Sequence, residues 1–168
     1  MDNFVRKSSL VLVYIASFLL MLIVLATVYN VCAFGLNRVA RLYGYSVAGL
    51  PGYEEFVKLS VGCVALMYFP YTQYKRGHIS VDFFSQKLSN RVQVLLDKTW
   101  LFVTFCFVVF LSIFMFIGML ENYEDATISS VLGWSIWPFY IPGIISLALW
   151  SLILICQVLW QDRSNLHV

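Results

Sequence analysis

A short polar segment interrupts an otherwise apolar chain and carries residue types that metal binding and proton transfer use. The stretch YKRGHISVDFF (residues 74–84) contains Lys75, Arg76, His78 and Asp82. A histidine beside a carboxylate can bind a metal ion or move a proton. A metal site needs further ligands, however, and this stretch does not supply them. The sequence therefore predicts no metal site and no catalytic group here, and favours a hydrogen-bonding role for His78.

A second charged group lies where another apolar stretch begins. Glu54 and Glu55 are followed by Lys58, and a glutamate four residues before a lysine is the favourable order for a helical ion pair. Acidic residues at a helix N-terminus also offset the helix dipole. Two interpretations stay open. The carboxylates cap the helix and balance Lys58 and Arg38, or they fix a contact with another membrane subunit.

Composition places these groups in a membrane protein. The chain has 168 residues, of which 61% are hydrophobic and 12% charged, too few polar residues for a soluble domain. The net charge of +2 gives no reason to expect nucleic acid as a partner. Four apolar stretches reach the roughly 20 residues that a membrane helix needs. They cover about residues 10–36, 56–74, 100–120 and 136–160, so residues 1–168 are predicted to form a single all-α domain with four transmembrane helices.

The remaining charges indicate the orientation of this domain. Eight Lys and Arg residues fall on the side of the two termini, against two on the other side. The positive-inside rule then places both termini in the cytoplasm and the acidic third connection outside. The second connection has apolar residues at helical spacing over about residues 80–98, which predicts an amphipathic helix in the inner membrane interface.

The positions of the ionisable residues disfavour several activities. The four predicted spans have no acidic residue in their middle, which disfavours a proton or cation pathway through this chain. His78 and His167 both lie outside the spans, so no pair of histidines can hold a haem between them. The sequence therefore predicts a chain that is not an enzyme and holds no cofactor.

Two motifs at opposite ends of the second span resemble a known family. The chain reads GLNRVARLYGYSVAGLPGYEEFVKL before the span and KRGHISVDFF after it. This order resembles the small membrane subunit, the Q or DctQ-like subunit, of tripartite ATP-independent periplasmic (TRAP) transporters, over essentially the whole chain. Tyr53 and the Val-Ala pair after Arg38 depart from the pattern, but the charged positions are kept.

The resemblance implies a role in organic-acid import across the bacterial inner membrane. In that family a periplasmic binding protein delivers a substrate, often a dicarboxylate or sialic acid, to a large membrane subunit that is driven by sodium. The small subunit braces the large one and binds no substrate, so sodium is expected in the large subunit. Candidate contacts with the large subunit or with lipid are Arg38, Glu54, Glu55, Lys58, Arg76, His78 and Asp82. Candidate contacts with the binding protein are Glu121, Glu124 and Asp125.

Two other classes of protein stay open at this point. A four-helix membrane subunit of a quinone-linked oxidoreductase is one, and a haem band or a titratable disulfide would identify it. A small transporter that works alone as a homodimer is the other, and it would transport after reconstitution without a partner.

Overall fold

Four α-helices make up the part of the chain that the computed structural model describes, residues 2–75 and 90–164. α1 comprises Asp2–Ala40, α2 Tyr53–Tyr74, α3 Asn90–Glu124 and α4 Tyr140–Ser164. Short 3-10 helices, Arg41–Tyr43 and Trp137–Phe139, follow α1 and precede α4. No strand occurs in these two ranges, where the expected all-α fold is confirmed.

Two glycines in the left-handed backbone region bound the connection between α1 and α2. Gly44 has φ +80° and its N–H donates to Arg41 O at 3.2 Å, which closes the turn after α1. Gly52 has φ +76°, and its carbonyl accepts the N–H groups of Glu55 and Phe56 at 3.1 Å each. Glycine adopts this conformation without the steric cost that other residues meet.

The helices form an open row rather than a closed bundle. α1 packs on α2, α2 packs on α4, and α4 packs on α3, while α1 reaches α4 only marginally. The order across the row is therefore α1, α2, α4, α3. Most apolar side chains of α1 and α3 are exposed, because each end helix has a neighbour on one side only.

Each half of the row, α1 with α2 and α4 with α3, has its own small apolar core. Ala16 and Ile23 of α1 pack with Val64 and Met67 of α2. A second cluster joins α3 to α4 and consists of Val108, Leu147, Trp150 and Leu154.

Where α4 passes between α2 and α3, Gly143 permits a close approach. A Cβ there would lie 2.7 Å from Met115 Cε and 3.1 Å from Leu66 Cδ1. Small residues serve this purpose in membrane helices generally.

Polar contacts cross the seam between α2 and α4 along its length. Near the start of α4, the Cys63 thiol donates to Phe139 O. In the middle, Ser146 Oγ donates to Leu66 O at 2.6 Å.

At the far end of the same seam, Gln73 Nε2 donates to Gln157 Oε1 at 2.7 Å and Gln157 Nε2 donates to Gln73 O at 2.9 Å. Trp150 Nε1 also donates to Gln73 Oε1 at 3.4 Å. Because Gln73 is buried, these bonds satisfy polar groups that water does not reach.

Three described segments are long and apolar enough to cross a membrane: Asn3–Tyr43, Leu95–Glu124 and Trp137–Val158. α2 has 22 residues, a length of about 33 Å, but it is not among the three. Its charged first turns and the polar Thr72 and Gln73 at its end lower its hydropathy. The four-span topology and the cytoplasmic termini therefore stay predictions.

The amphipathic helix expected at about residues 80–98 falls partly outside the described residues. Residues 90–98 form the start of α3 and continue into the third apolar stretch without a break. The expected helix end near residue 98 is therefore wrong. The physical reason is that no proline or glycine interrupts residues 90–117. An interfacial position for residues 80–98 stays a prediction.

Candidate functional site: a carboxylate clasp at the start of the second helix

The connection between α3 and α4 is a compact loop with its own hydrogen bonds. Ser129 N–H donates to Trp134 O at 2.8 Å, and Gly133 N–H donates to Ser129 O at 3.0 Å. Ile128 and Ser135 form an isolated antiparallel bridge. Gly133 adopts φ +67°, the left-handed conformation that a tight reversal requires. The loop therefore has a defined shape.

Glu55 of α2 binds this loop through a set of contacts that we call the Glu55 clasp. The Ser129 hydroxyl donates to Glu55 Oε2. The backbone N–H groups of Val131 and Leu132 donate to the same oxygen at 3.0 and 3.2 Å. One carboxylate thus accepts three hydrogen bonds from the loop, and charged acceptors make the stronger class of such bonds. The clasp therefore links α2 to the connection between α3 and α4.

The clasp favours the ionised form of the Glu55 carboxylate. The Ser129 hydroxyl has the largest effect, followed by the Val131 N–H, and together they lower the pKa of Glu55 below its ordinary value of 4.5. Donors that hydrogen-bond to a carboxylate stabilise its charge and disfavour its protonation. Glu55 is therefore a fixed negative charge at neutral pH.

Gly52 gives the loop room to approach α2. A Cβ at Gly52 would lie 2.6 Å from Leu132 Cδ2 and 2.7 Å from Leu132 Cγ. The side chain of Leu132 thus rests against the bare backbone of Gly52, while its N–H binds Glu55. Leu132 therefore contacts the start of α2 twice, through its side chain at Gly52 and through its N–H at Glu55.

The other charged residues near the clasp are exposed. Glu54 and Lys58 both lie at the surface, and within residues 2–75 and 90–164 no ion pair joins them. The ion pair suggested by their spacing is therefore not formed. Lys58 and Glu55 line a cavity of about 170 Å³ together with Ser129 and Ser130. Arg38 is exposed in the last turn of α1.

The remaining predicted site residues fall into two groups. Glu121, Glu124 and Asp125 are all exposed at the end of α3 and the start of the loop. Arg76, His78 and Asp82 lie outside the described residues. The contacts proposed for both groups stay predictions.

Sequence reasoning missed several neutral polar residues that organise the structure. Asn30 is fully buried in the last third of α1, where its Oδ1 accepts the Leu50 N–H at 2.8 Å. Gln73, Gln157 and Ser129 were missed as well. The signal for Asn30, Gln73 and Gln157 was available, because a neutral polar side chain inside an apolar stretch needs a partner. Ser129 lies in the polar third connection and gave no such signal.

Comparison with known families identifies the family of the chain. The family model for the DctQ component of tripartite ATP-independent periplasmic transporters matches residues 45–164. Because this range covers more than half of the chain, the protein belongs to that family, as the two sequence motifs predicted. It is a small membrane subunit of a transporter and not a catalytic enzyme. Neither the curated proteins nor the solved structures gave a significant match.

Proposed function

We propose that this chain braces the large membrane subunit of a TRAP-type importer in the bacterial inner membrane and carries no substrate itself. The open row supports this role best, because α1 and α3 leave long apolar faces uncovered at both ends. A row joined by two cores and a polar seam can serve as a broad, rigid support. All four helices cross the membrane in this proposal, with both termini in the cytoplasm.

Transport then belongs to the partners. A periplasmic binding protein delivers an organic acid, such as a dicarboxylate or sialic acid, and the large subunit moves it with sodium. The family functions in general with a large membrane subunit and a substrate-binding protein. The small subunit needs no cofactor in this scheme.

The two adjacent carboxylates divide the work at the start of α2. The Glu55 carboxylate accepts hydrogen bonds from the loop between α3 and α4 of the same chain. Glu54 is exposed and has no ion pair with Lys58. Glu54 is therefore the carboxylate assigned to the large subunit, and Glu55 holds the loop beside it.

Single substitutions separate these assignments. Glu54→Gln is expected to lower the yield of large subunit that co-purifies with the chain, and to lower organic-acid uptake. Its thermal stability in detergent is expected to match that of the wild type. Glu55→Gln is the matched control, because it removes the neighbouring charge from a carboxylate that binds the loop between α3 and α4 and is not assigned to the large subunit.

Unchanged complex yield and uptake in Glu54→Gln would contradict the assigned contact. Uptake by the isolated chain, reconstituted without a large subunit, would contradict the bracing role as a whole.

A further inference from the structure

The hydroxyl of Ser60, two turns into α2, is buried without a hydrogen-bond partner. Ser60 is 4% exposed, and among the described residues no group donates to its Oγ or accepts from it. The hydroxyls of Ser9, Thr27 and Thr72 differ, because each donates to the carbonyl four residues earlier in its own helix. A buried polar group without a partner costs free energy, so the Ser60 hydroxyl marks a place where a bound molecule can complete the bond.

Ser60 lines a cavity of about 240 Å³ where α1, α2 and the start of α4 meet. The other lining residues are Leu19, Phe56, Cys63, Pro138, Phe139 and Pro142. None of these residues is charged. The Cys63 thiol already has an acceptor, since it donates to Phe139 O. Of the described side chains that line the cavity, Ser60 is therefore the donor left for a bound molecule.

Lipid surrounds this cavity in the proposed topology. Two of its walls belong to Asn3–Tyr43 and Trp137–Val158, which are long and apolar enough to cross a membrane. Ser60 follows Glu55 by five residues and lies about 7.5 Å further along the helix axis. Ionised carboxylates avoid the hydrocarbon and stay among the headgroups or in water. Ser60 is then at the depth where the headgroups end and the acyl chains begin.

Resting on that topology, we infer that the cavity holds the start of one acyl chain of a membrane phospholipid, and that the ester carbonyl of this chain accepts a hydrogen bond from the Ser60 hydroxyl. An ester carbonyl next to an apolar chain matches a single donor on an apolar wall. The volume also fits, since an apolar cavity of about 150 Å³ holds a benzene molecule. A cavity of about 240 Å³ therefore takes several methylene groups besides the carbonyl.

Other occupants fit the cavity less well. A trapped water molecule needs several polar partners, whereas the side chains of this wall offer one unused donor. A quinone ring carries two carbonyls on opposite sides, and only one of them would find a donor. An anionic group would find no cation among the lining residues.

A pair of lipids that differ only in the carbonyl tests the hydrogen bond. The full chain is purified in detergent and titrated with diester phosphatidylethanolamine or with its diether analogue, which has no carbonyl, and bound lipid is counted by native mass spectrometry. The diester lipid is expected to bind about three- to tenfold more tightly, the equivalent of one hydrogen bond.

Two variants locate this preference. Ser60→Ala is expected to bind both lipids equally. Ser151→Ala is the matched control and is expected to keep the preference, because the Ser151 hydroxyl donates to Ala148 O within its own helix. Equal binding of the two lipids by the wild type, or a preference that survives in Ser60→Ala, would overturn the inference.

Cross-linking gives an independent measurement of the position of the chain. A phosphatidylethanolamine with a diazirine near the start of its acyl chain is added to vesicles that contain the chain together with its large subunit. Irradiation is expected to label Phe56 and Phe139 in the cavity, and excess diester lipid should reduce this labelling. Labelling confined to exposed faces, such as Phe18 and Phe107, would overturn the inference because bulk lipid labels those faces. Loss of cavity labelling when the large subunit binds would also overturn it, because the subunit would then fill the cavity.

The lipid site and the proposed function fail in different ways. If the chain co-purifies with the large subunit but shows no ester preference, the bracing role stands and the lipid site is wrong. If the chain binds no large subunit, the proposed function is wrong, and the ester preference still decides the lipid site.

Discussion

The glutamine pair at the far end of the α2–α4 seam, in which Gln73 is buried, supports a quantitative prediction. Gln73→Leu keeps nearly the same volume but removes the Gln73 side-chain bonds to Gln157 Oε1 at 2.7 Å and Trp150 Nε1 at 3.4 Å. A side-chain hydrogen bond between membrane helices contributes about 0.6 kcal/mol on average and about 1.7 kcal/mol at most. The first bond is short and the second is long. We therefore expect a loss of about 1–2 kcal/mol in the free energy of unfolding.

A double-mutant cycle isolates the central bond of this pair. Gln73→Leu, Gln157→Leu and the double variant are unfolded at equilibrium in mixed micelles and followed by circular dichroism. The coupling energy is expected to be about 0.6–1.7 kcal/mol. Thr72→Val is the matched control, since the Thr72 hydroxyl donates within its own helix, to Tyr68 O at 3.0 Å.

If Gln73→Leu changes the free energy of unfolding by no more than Thr72→Val, the glutamine pair does not hold the helices together. A coupling energy within about 0.3 kcal/mol of zero has the same meaning, because independent sites are additive to that precision.

Two further predictions concern the Glu55 clasp. Because the folded-state pKa of Glu55 lies below its ordinary value, the clasp acts fully above pH 4.5 and is lost as the pH falls through the folded-state value. Hydrogen exchange corrected for its intrinsic pH dependence should therefore show the Val131 and Leu132 amides losing protection on acidification in the wild type. In Glu55→Gln, which has no titrating carboxylate, their protection should be weaker and independent of pH in this range. Gly52→Ala should destabilise the chain by about 1–2 kcal/mol, the cost of a side chain in the left-handed region, with the Leu132 contact adding to it. Gly62→Ala is the matched control, because a Cβ there meets nothing within 4 Å, and it should not lower the midpoint of thermal unfolding. Equal destabilisation by Gly52→Ala and Gly62→Ala would contradict the close contact between Gly52 and Leu132.

The sequence predicted the helices better than their arrangement. Runs of apolar residues identify long helices because a membrane helix must be apolar along its whole length. The row order α1, α2, α4, α3 depends instead on which faces meet, and a helix that is apolar all round does not reveal that in its spacing. The helix end expected near residue 98 was wrong for a related reason. An amphipathic pattern marks a change of environment, and the helix itself continues through it.

The candidate site was predicted in part. Glu54 and Glu55 were singled out from their position at a helix start, but their different roles required the loop to be seen in place. Ser129, Val131 and Leu132 lie more than seventy positions further along the chain. Two of these three donors use only backbone N–H groups, which every residue type except proline offers. No side-chain pattern could therefore have identified them.

Fastening at both ends gives the α2–α4 seam mechanical stiffness. The Glu55 clasp holds one end and the Gln73–Gln157 pair holds the other. Sliding α2 along α4 by a single helical rise of about 1.5 Å would stretch hydrogen bonds at both ends simultaneously. Hydrogen bonds at both ends therefore resist sliding of α2 against α4, the two central helices of the row.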